Sequence, residues 1–567
     1  MRILAFSALA LGLGLTFVQA TACSNSADDC NATATCGATA GAAHAGSAGK
    51  SGGGDGSDAG ADSGGTSSVA GSSSNAGNGG ATGSGGEGGG SANGCTGDVS
   101  DDAACWTTDE LGVFVSSDAV DDTGDGTKEA PFKTIAKGIA AAAGKNVYVC
   151  VGAGDYTEKV SLDLASDGIH IYGGFECANW TYATTRSAQV LSPSNIALRV
   201  DGLKKGAHIE NMSFQAADAT GTGPDASSYG AFVTGSKGVV LTRVELKAGK
   251  GAKGVDGADG AKGTDGAASG AAPAGSAGLC PPFPTDPPPT ISGGKWTIES
   301  ACASQGGPGG TALKTNTNGA PGGAGAPTEH VSPLANIENG GPGESTGVSV
   351  LDGKIGTQGD AGLSGEPAAA AGVLSATGFA PADGKSGGTG FAGQGGGGGG
   401  ASKGTGVCFG ASGGAGGMGG CGGLAGKAGG GGGASVGLFS LGSQIALTSS
   451  SVQSGVGGAG GKGGKGGQRG LGAVGGTGGG QDPDTLVSRG GTGGFGGNGG
   501  PGGNGSGGTG GPSYALVYSD AKPTFDIADT TLKAGTPGAA GVGGEQVGTT
   551  KAPNGSVGAA AAEFEIL

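Results

Sequence analysis

The sequence predicts an all-β fold, a parallel β-helix of stacked rungs interrupted by long glycine-rich insertions. Two observations predict it. First, four segments align over eleven columns without a gap: AHIENMSFQAA (207–217), VVLTRVELKAG (239–249), IALTSSSVQSG (445–455) and FDIADTTLKAG (525–535). Apolar residues fill the columns Ala207/Val239/Ile445/Phe525, Ile209/Leu241/Leu447/Ile527 and Phe214/Leu246/Val452/Leu532, alternating with polar residues as half-buried strands do. The polar column Asn211/Arg243/Ser449/Asp529 reads as a turn, and a second apolar run precedes the last three segments (229–233, 436–441, 514–518). Each unit is strand, turn, strand, a rung that buries its apolar face only when rungs stack. Second, glycine-rich sequence begins directly after 249, 455 and 535, the same place in each unit. Insertions into a solenoid leave from one such edge.

The elements follow in chain order. Arg2, the apolar stretch 3–18 and Ala20-Thr21-Ala22 before Cys23 form an export signal over 1–22. Small residues before a cysteine resemble a bacterial lipobox, with Cys23 lipidated and becoming the mature N-terminus. Ala20 stands where that motif prefers leucine, and Ala-x-Ala also fits ordinary signal-peptidase cleavage, which would leave a secreted protein. Eleven cysteines become ten without Cys23. Those ten fall into close pairs, Cys30/Cys36, Cys95/Cys105, Cys150/Cys177, Cys280/Cys302 and Cys408/Cys421, an even set suited to five disulfides in an exported chain. Residues 23–94 are a lipid-anchored tether of Gly, Ser and Ala, a coil spanning on the order of 40 Å.

At residue 112 the composition changes. VFV (113–115) is a short strand and DDTGDGTKEA a polar turn. Pro131 suits the first turn of a helix, with Phe132, Ile135 and Ile139 at helical spacing and Gly144 as its stop. NVYVCV (146–151), VSLDL (160–164) and IHIYG (169–173) are further strands. The segment GDGTKEAPFKTIAKGIAAA, followed by VYV, the G-x-Y-x-E turn at 154–158 and IHIYGGF, resembles the start of a right-handed parallel β-helix. It is similar to the pectate-lyase-like superfamily, in a branch of unknown function. The resemblance covers about 112–194 and implies that the Pro-Phe-x-Thr-Ile helix caps the open end of the coil. An uncovered first rung has unpaired backbone and apolar surface, so such a cap has a physical reason.

The predicted organisation is a first part of the β-helix with its cap helix (95–248), a glycine-rich insertion (249–434), a rung (435–455), a second insertion (456–511), and a last rung with a glycine-rich tail (512–567). Glycine makes up 142 of 567 residues and aromatics only 4%, too few large apolar side chains for one conventional core of this length. The apolar residues are therefore expected in the rungs. The insertions are expected to be largely irregular, low-complexity and disordered, or packed as polyglycine-II-like extended chains. The run GAKGVDGADGAKGTDG (251–266) has glycine every third residue, but six triplets without proline do not hold a collagen triple helix. It reads as the start of the first insertion. Glycine-rich exported lipoproteins with such loops resemble the PGRS-type surface proteins of myxobacteria.

Chemistry is sparse in the sequence. A formal net charge of −16 excludes nucleic acid and anionic lipid headgroups as partners. GASGG (410–414) matches a nucleophile elbow formally, without the strand and helix that such a motif needs. GGKGGKGGQRG (460–470) lacks the aromatics of a nucleic-acid-binding tract and reads as solubilising. His44, His170, His208 and His330 show no metal-ligand spacing, no cofactor is implied, and GGGDGSDAG (52–60) does not recur as a calcium-binding nonapeptide would. Asp121, Asp122 and Asp125 are weak calcium candidates without the twelfth-position glutamate of an EF-hand. A polysaccharide lyase or hydrolase needs carboxylates on one face beside a cation. The outward candidates are His208, Glu210, Arg243 and Glu245, but Glu210 aligns with Thr242, Thr448 and Ala528, so no acidic ladder runs along the coil. The expected function is a non-enzymatic lipoprotein of the outer membrane or cell surface, structural or adhesive. It is held to the membrane by its lipid and shows its glycine-rich loops to glycans or extracellular matrix. The alternative is a carbohydrate-binding or polysaccharide-cleaving β-helix enzyme.

Overall fold

The computed structural model describes residues 94–566, except Thr96, 281–289, 314–316, 328–337 and 482–486, all within the unit Glu87–Leu567. The signal segment 1–22, Cys23, Cys30, Cys36, His44, nearly all of the tether and His330 lie outside the described residues. No described helix is long and apolar enough to cross a membrane.

Three parallel sheets wrap one apolar core. Sheet A begins with Gly112–Ser116 and Asn146–Val151 and continues through Ile169–Glu176, Ala207–Glu210, Val239–Thr242 and Ile445–Thr448 to Thr524–Phe525. Sheet B runs from Ala188–Leu191 through Met212–Gln215, Glu245–Lys247 and Ser451–Gln453 to Thr531–Lys533. Sheet C runs from Val160–Leu162 through Ile196–Asp201, Ser228–Thr234, Ser435–Leu441 and Ser513–Ser519 to Ala560–Glu565. From Val160 onward the chain visits C, A and B in turn, which is a parallel β-helix.

Its core is a set of columns. In sheet A, Ile171, Ile209, Leu241 and Leu447 are in register, and in sheet B so are Val190, Phe214, Leu246 and Val452. Sheet C adds Leu198, Ala231, Leu438 and Leu516, and no member of these three columns is more than 2% exposed. The corner from A to B needs a left-handed residue. Asn211 (φ 53°), Arg243 (φ 53°) and Ser449 (φ 48°) supply it, so the polar column of the sequence marks this corner.

The fourth repeat departs from the ungapped alignment. Phe525, not Ile527, pairs with Leu447, while Leu532 still pairs with Val452. Ile527 is 84% exposed in a turn whose Thr530 N–H donates to the Asp526 carbonyl, and this turn absorbs the two-residue shift.

The helix spans Ile135–Ala141 and lies over the first coil, with Ile135 and Gly138 buried. Pro131 lies before the helix, not in its first turn. Thr134 is the N-cap, and Phe132 instead bridges Val115 at the sheet edge. The G-x-Y-x-E turn serves this cap. The Tyr156 hydroxyl donates to the Cys150 carbonyl (2.7 Å), and the Glu158 carboxylate accepts from the Ile135 and Ala136 N–H groups (2.7 and 2.9 Å), free donors of a helix N-terminus.

All long insertions leave between sheets B and C, and their described residues form an ordered lattice. The N–H groups of Gly251, Gly254, Gly257, Gly260, Gly263 and Gly266 donate to the carbonyls of Val456, Ala459, Lys462, Lys465, Gln468 and Leu471, at 2.7–2.9 Å. Both partners advance by three, so the two chains run parallel with three residues per turn, the period of an extended polyproline-II-type helix rather than of a strand. Antiparallel neighbours use the same period: Gly430, Lys427, Leu424 and Cys421 donate to Val255, Ala258, Ala261 and Thr264. The second insertion (455–479 out, 490–512 back) and the third (535–544 out) join the same lattice. Of the two packings open to the insertions, the polyglycine-II one holds. A Cβ on Gly254 would sit 2.0 Å from the Gly430 carbonyl oxygen, and one on Gly422 1.8 Å from that of Gly390. The edge chain 251–266 therefore needs glycine at each inward third position, while 393–402 and 408–421 are buried throughout and far richer in glycine. This part of the molecule is held by backbone hydrogen bonds between chains, which is how so few aromatics suffice.

Two close cysteine pairs of the sequence hold, Cys95–Cys105 and Cys150–Cys177. Of the other three, Cys30/Cys36 lies outside the described residues, and Cys280/Cys302 and Cys408/Cys421 are replaced by Cys280–Cys408 and Cys302–Cys421. The lattice folds the first insertion back on itself, so cysteines more than a hundred residues apart become neighbours. Four disulfides belong to an oxidising compartment.

Candidate functional site

The outer face of sheet A carries a connected group of polar side chains. Pleating sends alternate residues outward, and register stacks them across rungs. Tyr148, Tyr172, Glu210 and Thr242 form one outward column, and His170 and His208 stand side by side in the next. The N-terminal end of this face is apolar: Phe114, Tyr148, Tyr172, Phe175 and Trp180 pack under Val99. The segment carrying Val99 is pinned there by the Cys95–Cys105 disulfide and by the Tyr148 hydroxyl, which donates to the Trp106 carbonyl (2.8 Å). It brings Asp98 over the sheet, where Tyr172 donates to it at 3.1 Å.

Glu210 is the centre. Its side chain is 2% exposed, and one carboxylate oxygen, Oε1, takes hydrogen bonds from the Tyr182 hydroxyl and the Arg243 guanidinium. The other, Oε2, lies 3.5 Å from His208 Nε2, which also lies 3.3 Å from Thr242 Oγ1. Arg243 Nε donates to Asn211 Oδ1 (2.7 Å) and Asn211 Nδ2 to the Tyr182 hydroxyl (3.1 Å), so the left-handed corner residues also hold the network. Tyr182 sits on an excursion after sheet A tied back by Cys150–Cys177 and by the Arg186–Glu176 ion pair (3.1 Å).

Burial, and then the neighbouring charge of His208, push the His170 imidazole below its ordinary value. Burial, and then the Asp98 carboxylate, push the Tyr172 phenol up, and burial with its bond to Glu210 does the same for Tyr182. Arg243 is raised: its burial opposes the charge, but Tyr182 and Glu210 together outweigh that. Both phenols therefore stay neutral donors. Ligand atoms of Asp98, His208 and Glu210 all lie within 4.8 Å of one another, so these three could hold a cation.

Of the outward residues singled out in the sequence, the fold brings His208, Glu210 and Arg243 together. Glu245 goes elsewhere: it faces out from sheet B, bonded to Lys247 (2.7 Å) and Ser213 (3.1 Å). Asp98, His170, Tyr172 and Tyr182 were missed as partners. His170 and His208 lie 38 positions apart, which is one coil, so no metal-ligand spacing is visible along the chain. The calcium candidates do not converge on an ion. Asp121 and Asp125 accept from Thr123 and Thr127 in local turns, and Asp122 accepts from Lys133 N, Thr134 N and Thr134 Oγ1 (all 2.8 Å). Ser412 of GASGG is buried in the lattice, accepting from Ser276 N (2.8 Å) and donating to the Ser292 carbonyl (2.9 Å).

At the lattice edge a second feature stands apart from this cluster, a cleft of about 820 Å³ lined by Lys262, Lys465, Gln468, Arg469 and Glu545 among others.

Residues 119–174 match a family of proteins of unknown function, DUF1565. The match spans the cap helix, Tyr156 and Glu158, and includes His170 and Tyr172 but not Asp98, Tyr182, His208, Glu210 or Arg243. No curated protein and no solved structure matches the chain significantly.

Proposed function

We propose that the protein is a non-enzymatic structural or adhesive surface protein: exported, anchored through a lipid on Cys23, and presenting a glycine lattice on a β-helix stem to glycans or extracellular matrix. The observation that carries this reading is the order of the lattice. Exposed side chains recur on it every third residue, Lys253, Asp256, Asp259, Lys262 and Asp265 on one chain and Lys462, Lys465 and Gln468 on the next. The Asp256 and Asp259 carboxylates accept from the backbone N–H groups of Lys462 and Lys465 (2.8 and 2.7 Å), which fixes the rows relative to each other. Such an array binds an extended polymer without the ordering cost of a floppy loop. The cleft beside Lys465 and Arg469 offers cations to an acidic saccharide. The likeness to PGRS-type surface proteins rests on composition alone.

The second reading is a polysaccharide-cleaving enzyme working at Glu210, favoured by the Asp98–His208–Glu210–Arg243 cluster. One experiment separates the two. The purified chain is applied to a panel of glycans and polysaccharides, with binding and cleavage scored separately. Binding without cleavage, lost in Lys465→Ala/Arg469→Ala, is expected. Cleavage that disappears in Glu210→Gln overturns the adhesive reading. Palmitate labelling tests the anchor, which is wrong if Cys23→Ser is labelled as strongly as the natural chain.

A further inference from the structure

We propose that the outer face of sheet A binds one divalent first-row transition-metal ion through His208 Nε2, a Glu210 carboxylate oxygen and an Asp98 carboxylate oxygen. This does not depend on the adhesive reading. Three features point to it. The first is geometry. Tetrahedral zinc with ligands at about 2.0–2.1 Å sets neighbouring ligand atoms about 3.3 Å apart. His208 Nε2 and Glu210 Oε2 are 3.5 Å apart already. The three ligand atoms lie within 4.8 Å of one another, so closing the set around an ion needs a shift of at most about 1.5 Å.

The second is charge. Asp98 and Glu210 carry two negative charges against the single positive charge of Arg243, which leaves a surplus that a cation neutralises. Arg243 already pairs with the buried Glu210, so the surplus sits on Asp98 at the solvent side of the group. Arg243 and Tyr182 occupy Oε1, leaving Oε2 turned toward His208.

The third is the support around the ligands. Tyr182 and Arg243 fix Glu210, and Tyr172 and the Val99 N–H (2.7 Å) fix Asp98, as outer partners of metal-binding carboxylates do. Imidazole beside two carboxylates suits zinc or its transition-metal neighbours, whereas calcium takes oxygen ligands only. Three protein ligands leave a fourth position for water.

The test uses the full chain without a histidine tag, stripped with chelator and titrated with Co²⁺ alone and then with Zn²⁺ alone. One Co²⁺ per chain with visible absorption, displaced by Zn²⁺, is expected, and Zn²⁺ should raise the melting temperature. His208→Ala should abolish binding and Asp98→Asn weaken it at least tenfold, while Glu245→Gln leaves it unchanged. His208 and Asp98 are not fully buried, so both variants should fold, which their melting curves check. Absence of binding by the natural chain up to about 1 mM ion, or unchanged affinity in both folded variants, overturns the proposal.

Discussion

A single glycine shows how the insertions hold. Gly422 faces the Gly390 carbonyl oxygen so closely that an added Cβ would lie 1.8 Å from it, whereas Gly480 has nothing within 4 Å of the same position. Gly422→Ala should therefore force two lattice chains apart and lower the unfolding midpoint, and Gly480→Ala should leave it unchanged or slightly raised. Equal effects in chemical denaturation would contradict a packed lattice. Asp122 offers a pH test at the same scale. Burial alone would raise its carboxyl, but bonds from Thr134 and Lys133 outweigh that and hold it below the usual range. A folded-state value below the unfolded one means stability is present above about pH 4 and is lost as pH falls further, because the unfolded chain takes up the proton first. Asp122→Asn should flatten that loss, measured as the urea midpoint at about pH 6 and about pH 3.

At the scale of elements, coil and insertion behave differently from a solenoid with free loops. Read as loops, residues 457–510 should be removable at little cost. In the structure they hydrogen-bond to both the first and the third insertion, through Gly254–Ala459, Gly414–Gly491 and Gly457–Thr536 among others. Replacing 457–510 by a short linker should strip those partners and lower the melting temperature, while the coils before Lys247 stay folded. Leu447→Asp acts on the coil itself. It sets a charge in the column of Ile209, Leu241 and Phe525, where Leu447 is 2% exposed, and should cost well beyond the roughly 1 kcal/mol of a typical substitution. Thermal melts of both variants decide the matter: a deletion with no effect returns the insertions to the status of loops.

Over the whole molecule, two kinds of core stand side by side. The β-helix buries Leu, Ile, Val and Phe in columns, and the lattice buries backbone against backbone with glycine as spacer. Hydrogen exchange distinguishes this from a stem with disordered loops. Amides of the buried chains 393–402 and 408–421 should exchange as slowly as those of the strands at 207–210 and 239–242. Exchange within seconds across those glycines would refute the packed arrangement.

Much of the coil was legible in the residues. Columns such as Phe214/Leu246/Val452 and the polar corner Asn211/Arg243/Ser449 are visible because period-two burial and a left-handed corner each constrain residue type locally. The glycine period at 251–266 marked only the start of an insertion; that one side of that chain has no room for a side chain came from the structure. The sequence by itself determined the repeat, its corner and the place where insertions leave. The tertiary structure alone decided the rest. Lattice neighbours are chosen among near-identical glycine chains, so neither their pairing nor the Cys280–Cys408 and Cys302–Cys421 bonds are written in local spacing. Phe525 replaces Ile527 in the last rung because a turn absorbs two residues, a choice made by stacking. The group around Glu210 exists only because one coil of chain brings His170 beside His208, and two disulfide-pinned excursions carry Asp98 and Tyr182 to the same face.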